Sequence, residues 1–310
     1  MNLSVVANPQ CLSFVTFCLL SCHKWYTMFT DLKNIFGGER RLIMAFDFRK
    51  ELRKLKSSFA RYEIRELNCH NYEKNIYGVA YIPYSDDPLP LVIFSHELGN
   101  TYTSGIDYAK VLASHGIAVY LFDFCGGSYF GASDGDMSQM SVMTEVSDLA
   151  AVLRTATTWD FVDPDRIVLM GASLGAVVST IVSAQPSATN CGLILLYPDL
   201  AIFDALHKKF TSLDEVPERF SYYGWFEAGR CYASDIWDYD LSHAMERCKV
   251  PVMIIHGDCD DFVDPSYARE ALTHFENAEL KILPGAGHIF RGKDLTAAIS
   301  HIEQYLHTVI

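Results

Sequence analysis

A short run of small residues, Gly171-Ala172-Ser173-Leu174-Gly175, separates two apolar segments of the chain. The preceding segment, RIVLM, predicts a buried strand, and the following segment predicts a helix over about 174–184. Small residues at these positions allow a sharp strand-to-helix turn that exposes the Ser173 hydroxyl beside the positively polarised start of the helix. Such a serine is suited to nucleophilic attack, although the same residues would also suit a simple tight turn.

A serine hydroxyl needs a general base before it can attack a carbonyl carbon. His288 lies in the segment LPGAGHIF, after the last predicted strand and close to Gly285 and Gly287. His256 also ends a strand, and we interpret it as packing the turn at Gly257. His288 is therefore the predicted base.

An acid must orient the histidine and stabilise its protonated form. The segment HGDCDDFVDP, residues 256–265, follows another apolar strand and offers four aspartates: Asp258, Asp260, Asp261 and Asp264. Residue type and position leave the choice among them open.

These residues are positioned by an alternation of strands and helices. Apolar strands are predicted at 75–83, 89–96 and 117–124, at RIVLM, and at GLILLYP, VPVMIIHGD and LKILPGAGH. Helices are predicted at 101–115, 141–159 and 174–184 and from about Leu295. This order predicts an α/β fold with a mostly parallel central sheet and helices on both faces. Ser173, His288 and the aspartates all fall at the carboxyl ends of strands, where such sheets bind ligands.

The alternation stops between Tyr197 and Pro251. Residues 199–243 are rich in aromatic and charged side chains, and an insertion of this length is uncommon unless it is functional. Each aromatic residue, taken singly, is expected to pack within the insertion itself.

The strand–turn–helix around Ser173 and the order Ser173, Asp260, His288 resemble the α/β-hydrolase superfamily. Members often carry H-G-x-x-D-x-x-V, which falls on His256, Gly257, Asp260 and Val263 and selects Asp260 as the acid. Asp258 is then expected to cap the turn, and Asp261 is the nearest alternative acid. The resemblance spans roughly 60–310 and is greatest to feruloyl/cinnamoyl-esterase-like and dipeptidyl-peptidase-like single-domain members. It implies that residues 199–243 form a lid that shapes the substrate pocket.

An acyl-transfer site also needs two N–H groups that stabilise the oxyanion. The Leu174 amide, directly after the nucleophile, is one predicted donor. Relatives often have His-Gly-aromatic after the strand LVIFS, whereas this chain has His96, Glu97 and Leu98. The resemblance therefore implies that Leu98 supplies the second donor. We interpret Glu97 as a surface or loop-bracing carboxylate, with a substrate-facing role as the alternative.

Together these features predict a serine hydrolase that cleaves carboxylic esters, with aromatic or short acyl groups, through a Ser173–His288–Asp260 triad and an acyl-enzyme. A prolyl-oligopeptidase-type peptidase and a thioesterase are the enzymatic alternatives. A catalytically inactive binding protein on the same fold is the alternative of another class. The predicted partner is a small-molecule ester, and no metal or organic cofactor is implied.

Composition limits the remaining possibilities. A formal net charge of −13 argues against nucleic acid as a main partner. Nine cysteines without a C-x-x-C pair predict reduced thiols and a cytoplasmic protein. No apolar run reaches the roughly 18 residues that suggest a membrane span.

The amino-terminal region differs from the rest. Residues 11–22 are apolar but lack the preceding basic residues of an export signal, so export or lipid anchoring is only the alternative to a cytoplasmic location. We hypothesise that translation starts at Met44 and that residues 1–43 are a mis-assigned or unstructured extension. The domain is then 44–310. Phe48, Leu52, Leu55 and Phe59 predict an amphipathic helix that docks on this domain or, alternatively, on a membrane surface or partner.

Overall fold

Twelve strands and eight α-helices are present in the computed structural model, which describes residues 61–310. The strands are β1 (Tyr62–Glu66), β2 (Cys69–Asn71), β3 (Lys74–Ile76), β4 (Gly78–Pro83), β5 (Leu89–Ser95), β6 (Ala118–Phe122), β7 (Val162–Ala172), β8 (Gly192–Leu196), β9 (Arg219–Tyr222), β10 (Phe226–Gly229), β11 (Val252–Gly257) and β12 (Ala278–Leu283). The helices are α1 (Ile106–Ser114), α2 (Val142–Ala156), α3 (Leu174–Ser183), α4 (Ile202–Lys209), α5 (Cys231–Ser234), α6 (Leu241–Arg247), α7 (Pro265–Ala271) and α8 (Lys293–Val309). The hypotheses on residues 1–43, Met44 and the amphipathic helix lie outside the described residues.

Eight strands form one sheet in the order β1-β4-β6-β5-β7-β8-β11-β12. The six strands from β6 to β12 in this order are parallel, and β1 and β4 add an antiparallel pair at one edge. The predicted fold class, a mostly parallel sheet in an α/β protein, is therefore confirmed. Strand β7, which leads into the candidate nucleophile Ser173, lies in the interior of the sheet, between β5 and β8.

The continuous apolar strands reflect burial on both faces of the sheet. In β7, Ile167 and Leu169 join one hydrophobic cluster, whereas Val168 and Met170 join the other. This separation follows from the alternation of side chains along a strand. Helices α2 and α3 contribute to the first cluster and helices α1 and α8 to the second, so both faces are covered.

The amino-terminal part of the sheet differs from the prediction of one strand over 75–83. The backbone changes partners at Tyr77, whose N–H donates to Ser133 Oγ at 2.8 Å. Strand β3 therefore pairs with β2 in a separate two-stranded sheet, and only β4 joins the main sheet. Strand β1 was not predicted because its partly exposed sequence, YEIRE, lacks the apolar run of a buried strand.

The insertion between β8 and β11 contains α4, the hairpin β9–β10, α5 and α6. Its interior is aromatic: Phe220, Tyr222, Phe226 and Tyr232 are buried and pack against one another. These four rings thus stabilise the insertion itself, as expected for most of its aromatic residues. Within residues 61–310, no helix combines the length and the apolar character that crossing a membrane requires.

Candidate active site

Ser173 occupies a strained turn between β7 and α3. Its φ and ψ angles are 53° and −116°, a region that non-glycine residues rarely adopt. Surrounding backbone bonds hold this conformation: the Ser173 N–H donates to the Leu196 carbonyl at 2.9 Å, and the Ser173 carbonyl accepts from Ala176 and Asp199 N–H at 3.1 Å. The turn thus depends on both the following helix and the neighbouring strand.

Two glycines make this turn sterically possible. A Cβ atom at Gly171 would lie 2.2 Å from the Gly175 carbonyl oxygen, and one at Gly175 would lie 2.3 Å from the Ser95 carbonyl oxygen. Both contacts involve backbone atoms, which cannot move away as a flexible side chain could. The small residues around Ser173 therefore bring α3 against β7 and the end of β5.

His288 reaches Ser173 from the loop after β12. The Ser173 hydroxyl and His288 Nε2 are 2.9 Å apart. Gly285 has a φ of 74° in this loop, and its N–H donates to Asp258 Oδ1 at 2.6 Å. Gly257 allows the loop to approach closely, since a Cβ there would lie 2.1 Å from the Ala286 carbonyl oxygen. Asp258 therefore braces the turn, as expected.

Asp260 contacts the other nitrogen of the same imidazole. His288 Nδ1 donates to Asp260 Oδ2 at 2.8 Å, which leaves Nε2 free to accept the proton of the Ser173 hydroxyl. Asp260 Oδ1 accepts from the backbone N–H groups of Phe262 at 3.0 Å and Val263 at 2.9 Å. The structure thus brings Ser173, His288 and Asp260 into one hydrogen-bonded chain.

The alternative acids lie elsewhere. Asp264 caps α7 by accepting from the Ser266 N–H at 2.8 Å, and Asp261 is exposed next to Asp260. Neither hydrogen-bonds to His288 among the residues that the structure describes.

His256 has a role that sequence reasoning missed. Its Nε2 lies 3.0 Å from Asp260 Oδ2 and 3.0 Å from the Val263 carbonyl oxygen. Because both neighbours are acceptors, Nε2 must carry the proton and donate to both. His256 therefore holds the carboxylate of Asp260 in place through a hydrogen bond to Oδ2. The position of His256 in the H-G-x-x-D pattern could have indicated this role.

These donors determine the ionisation of Asp260. Burial raises the pKa of Asp260, but hydrogen bonds from His256, His288 and the Val263 N–H outweigh this effect. The pKa of the carboxyl consequently lies well below its ordinary value. Asp260 is held as a carboxylate, the form that can orient an imidazole and stabilise its positive charge.

In the loop after β5, the Leu98 N–H points away from the groups that hydrogen-bond to the Glu97 carbonyl. The Glu97 carbonyl accepts from His96 Nδ1 at 2.8 Å and from the Asn100 N–H at 3.0 Å. In a trans peptide the next N–H, that of Leu98, points in the opposite direction to this carbonyl. Burial lowers the pKa of His96, and its Nε2 accepts from the Phe124 N–H at 3.1 Å, so the ring is a neutral structural brace.

Leu174 is the first residue of α3, where backbone N–H groups lack partners within the helix. Among residues 61–310, neither the Leu98 nor the Leu174 amide donates a hydrogen bond to the protein. Both predicted oxyanion donors are thus available for a ligand.

Glu97 is buried rather than exposed. Its Oε1 accepts a hydrogen bond from the Tyr197 hydroxyl at 2.8 Å. The Tyr197 ring in turn packs edge-on against the His288 ring, with centroids 5.1 Å apart, and against Phe290 at 4.8 Å. Glu97 therefore braces the Leu98 loop against a tyrosine that supports His288, which corresponds to the loop-bracing interpretation.

Asp199 is a second carboxylate close to Ser173 that the sequence analysis did not single out. It follows the end of β8, and its Oδ2 accepts from the Tyr223 hydroxyl at 3.3 Å. Burial raises the pKa of Asp199 to about 6, although the neighbouring His288 opposes the rise. Its position just beyond the end of a buried strand was the signal that could have identified it.

Exposed aromatic side chains contact two of the groups near Ser173. The Trp225 ring covers Gly99, beside Leu98, and the Phe262 ring packs on His288 with centroids 4.8 Å apart. Tyr129, Phe130 and Ile289 are also exposed on loops that follow strands β6 and β12. The exposed surface beside the Leu98–Gly99 loop and His288 is therefore partly aromatic.

Comparisons with known proteins agree with this architecture. The sequence model of the prolyl oligopeptidase family matches residues 105–309. The quorum-quenching protein AidA of Acinetobacter baumannii is 30% identical over 97 residues, which are 31% of this chain and 31% of AidA. An uncharacterised protein of Mycobacterium tuberculosis is 29% identical over 217 residues, 68% of this chain and 67% of that protein. The chain thus spans about a third of AidA and about two thirds of the mycobacterial relative.

Solved structures share the fold at low sequence identity. Est1E from Butyrivibrio proteoclasticus, determined with ferulic acid bound, has a TM-score of 0.72 and 19% identity, covering 78% of this chain and 98% of Est1E. The dienelactone hydrolase of Anabaena variabilis has a TM-score of 0.59 and 17% identity, covering 81% and 99% of the respective chains. The resemblance to α/β-hydrolases is therefore confirmed, and the chain belongs to the prolyl oligopeptidase family within that superfamily.

Proposed function

We propose that this hydrolase cleaves carboxylic esters, with Ser173 as nucleophile, His288 as general base and Asp260 as the orienting acid. The observation that carries the proposal is the chain of two hydrogen bonds, 2.9 Å from Ser173 Oγ to His288 Nε2 and 2.8 Å from His288 Nδ1 to Asp260 Oδ2. The strained backbone of Ser173 supports it, because strain of this kind persists where the surrounding structure maintains it for a function.

In the proposed reaction, His288 Nε2 accepts the hydroxyl proton while Ser173 Oγ bonds to the ester carbonyl carbon. The resulting imidazolium lies against the Asp260 carboxylate, which stabilises its charge. His288 then gives the proton to the departing alcohol as the carbon–oxygen bond breaks, leaving an acyl-Ser173 ester. A water molecule, deprotonated by His288, attacks this ester and releases the acid.

The amides of Leu98 and Leu174 are the proposed donors to the oxyanion. Each lacks a hydrogen-bond partner in the part of the chain that the structure describes, and Leu174 begins a helix. Donors fixed in place before the reaction stabilise developing charge without reorganisation.

The exposed aromatic side chains near the site support small, aromatic or short acyl esters as substrates. Trp225 contacts the Leu98–Gly99 loop, and Phe262 packs on His288. Aromatic rings in offset or edge-on contact would bind an aromatic acyl or alcohol group. The likeness to Est1E, with its bound ferulic acid, points to the same substrate class.

The direct test is hydrolysis of p-nitrophenyl and hydroxycinnamate esters by the full chain and by Ser173→Ala. We expect turnover of at least one ester by the wild type and a loss of about 10³-fold or more in Ser173→Ala, because the nucleophile is gone. An unchanged unfolding midpoint in urea would show that the variant is folded. Activity retained by a folded Ser173→Ala would contradict the assignment.

Two further measurements separate the alternatives. Aminoacyl p-nitroanilides and acyl thioesters, assayed in parallel, would reveal a peptidase or a thioesterase. A fluorophosphonate probe labels an activated serine whatever the substrate. Labelling without ester turnover would contradict esterase activity while supporting a Ser173 hydrolase of another class. The absence of labelling would favour an inactive binding protein.

A further inference from the structure

The Asp199 carboxylate is buried beside Ser173, and in the part of the chain that the structure describes it has no counterion. It is 2% exposed, and its Oδ1 has no hydrogen-bond partner within residues 61–310. Its Oδ2 accepts only from the Tyr223 hydroxyl among the described residues. Neither lysine nor arginine pairs with it within residues 61–310. The proposed ester hydrolysis does not require this side chain.

Such an arrangement is unfavourable in the empty site. A buried carboxylate is normally paired with a cation or fully hydrogen-bonded, because it has lost its hydration. The raised pKa of Asp199, about 6, reflects this loss. At pH 8 the carboxyl is nevertheless ionised, so a positive charge brought by a ligand would be stabilised there.

Among residues 61–310, the only hydrogen-bond partner of the Asp199 carboxylate lies on a hairpin tip. Tyr223 has a φ of 53° and precedes Gly224, whose φ is 77°, in the turn between β9 and β10. Its 3.3 Å bond to Asp199 is longer than an ordinary O–H···O hydrogen bond. A ligand that donates more strongly could therefore replace the Tyr223 hydroxyl.

The surroundings suit a cation. The Tyr223 ring packs against Tyr222 at 4.2 Å and against Phe262 at 4.6 Å between centroids. Aromatic faces attract ammonium groups, and the attraction increases when the group is desolvated. A cation bound at the Asp199 carboxylate would lie next to this group of rings. It would also donate a charge-assisted hydrogen bond, which is about twice as strong as that of a neutral hydroxyl.

Asp199 belongs to the same site as Ser173. Its N–H donates to the Ser173 carbonyl at 3.1 Å, and Phe262 packs on both Tyr223 and His288. We propose that Asp199 binds an ammonium group of the substrate in place of the Tyr223 hydroxyl, so that the preferred esters carry a positively charged amine. This inference rests on the proposed esterase function for its position in the reaction.

The test compares esters matched in chain length. These are the p-nitrophenyl esters of β-alanine and butyrate, and of 6-aminohexanoate and heptanoate, assayed at pH 8 with Ser173→Ala as the blank for spontaneous hydrolysis. We expect kcat/KM of the wild type to favour the ammonium member of at least one pair by about tenfold or more. In Asp199→Asn this ratio should fall about tenfold, whereas the exposed Asp261→Asn, with the same change of charge, should retain it.

Equal kcat/KM for both members of each pair in the wild type would overturn the inference while leaving the esterase proposal intact. A ratio unchanged in Asp199→Asn, with both esters slowed equally, would instead make Asp199 a positioning residue. A binding experiment by calorimetry decides the inference without turnover. It compares β-alanine ethyl ester with ethyl butyrate, each binding to Ser173→Ala and to Ser173→Ala/Asp199→Asn. Tighter binding of the ammonium ester that is lost with Asp199 supports it even if no ester is hydrolysed, and equal binding overturns it.

Discussion

Asp260 receives four hydrogen bonds, and the two on Oδ2 come from two different histidines. His288 donates at 2.8 Å and His256 at 3.0 Å, while backbone N–H groups occupy Oδ1. A carboxylate with every strong acceptor position filled cannot rotate without breaking several bonds. Its orientation, and with it that of the imidazole, is therefore determined before any substrate binds.

This geometry predicts that Asp260→Asn will lower kcat on esters by about 10³-fold or more, because an amide does not stabilise the imidazolium and can favour the wrong tautomer of His288. Asp261→Asn removes the same charge one residue away and should stay within about threefold of the wild type, as expected for an exposed carboxylate. Steady-state kinetics on one p-nitrophenyl ester would measure both. Comparable losses in the two variants would contradict the assignment of Asp260.

At the scale of secondary structure, the junction of β7 and α3 depends on two backbone contacts that leave no room for a side chain. Gly175 packs against the end of β5, and Gly171 packs against the first turn of α3. These contacts hold the turn at Ser173 close to α3 and to the ends of β5 and β7.

Gly171→Ala should therefore cost about 3 kcal/mol or more of unfolding free energy, or prevent folding, because the added methyl group would lie 2.2–2.6 Å from backbone atoms of Gly175 and Ala176. Gly131→Ala is the matched control: its φ is not positive, and a Cβ there would meet no atom closer than 3.6 Å. Urea unfolding of the two variants would test this expectation. Equal stability of both variants would show that the junction relaxes easily.

The hairpin β9–β10 places Trp225 over the Leu98–Gly99 loop. A substitution of Trp225 should therefore change substrate binding. Trp225→Ala is expected to raise KM for aromatic esters by about tenfold, because the ring provides apolar contact area, with a smaller effect on acetate esters. Tyr84→Ala is a suitable control, since both side chains are 52% exposed but Tyr84 follows β4, away from the serine. Similar KM values for the two variants would exclude a role for the hairpin in substrate recognition.

For the whole molecule, two buried carboxyl groups, Glu145 and Asp260, change the free energy of unfolding with pH in opposite directions. Burial raises the pKa of Glu145 well above its ordinary value of 4.5, and both of its carboxyl oxygens lack partners within residues 61–310. A raised folded-state pKa contributes stability that is complete below pH 4.5 and declines as pH rises toward the folded value. The lowered pKa of Asp260 has the opposite effect, contributing stability above pH 3.8 that is lost as pH falls.

Glu145→Gln should consequently reduce the loss of stability on going from pH 5 toward alkaline pH, a loss that for one group can reach about 1.4 kcal/mol per pH unit. Glu227→Gln, at an exposed position on β10, is the control and should leave the slope unchanged. Urea unfolding across this pH range measures both slopes. The same slope in wild type and Glu145→Gln would mean that Glu145 does not govern this dependence.

The sequence by itself determined the sheet and the strand-to-helix turn that carries Ser173, the candidate nucleophile. Continuous apolar strands that alternate with helices have few other ways to bury their faces, and the small residues around Ser173 indicate a tight strand-to-helix junction. Position at the end of a strand also singled out His288 as the candidate base, and the structure places its Nε2 2.9 Å from the Ser173 hydroxyl. Those inferences are local, since each depends on residues close together in the chain.

Tertiary structure alone decided which residues that are distant in the sequence lie next to Ser173. Four aspartates lie within seven residues, and in the sequence only the resemblance to the superfamily pattern distinguished Asp260 from the others. The loop conformation is what places Asp260 against both His256 and His288. Asp199 and the hairpin tip at Tyr223 come from an insertion without regular periodicity, so their contacts could not be predicted. The physical reason is that burial, pairing and pKa depend on neighbours that the fold brings together, and these lie far away in the sequence.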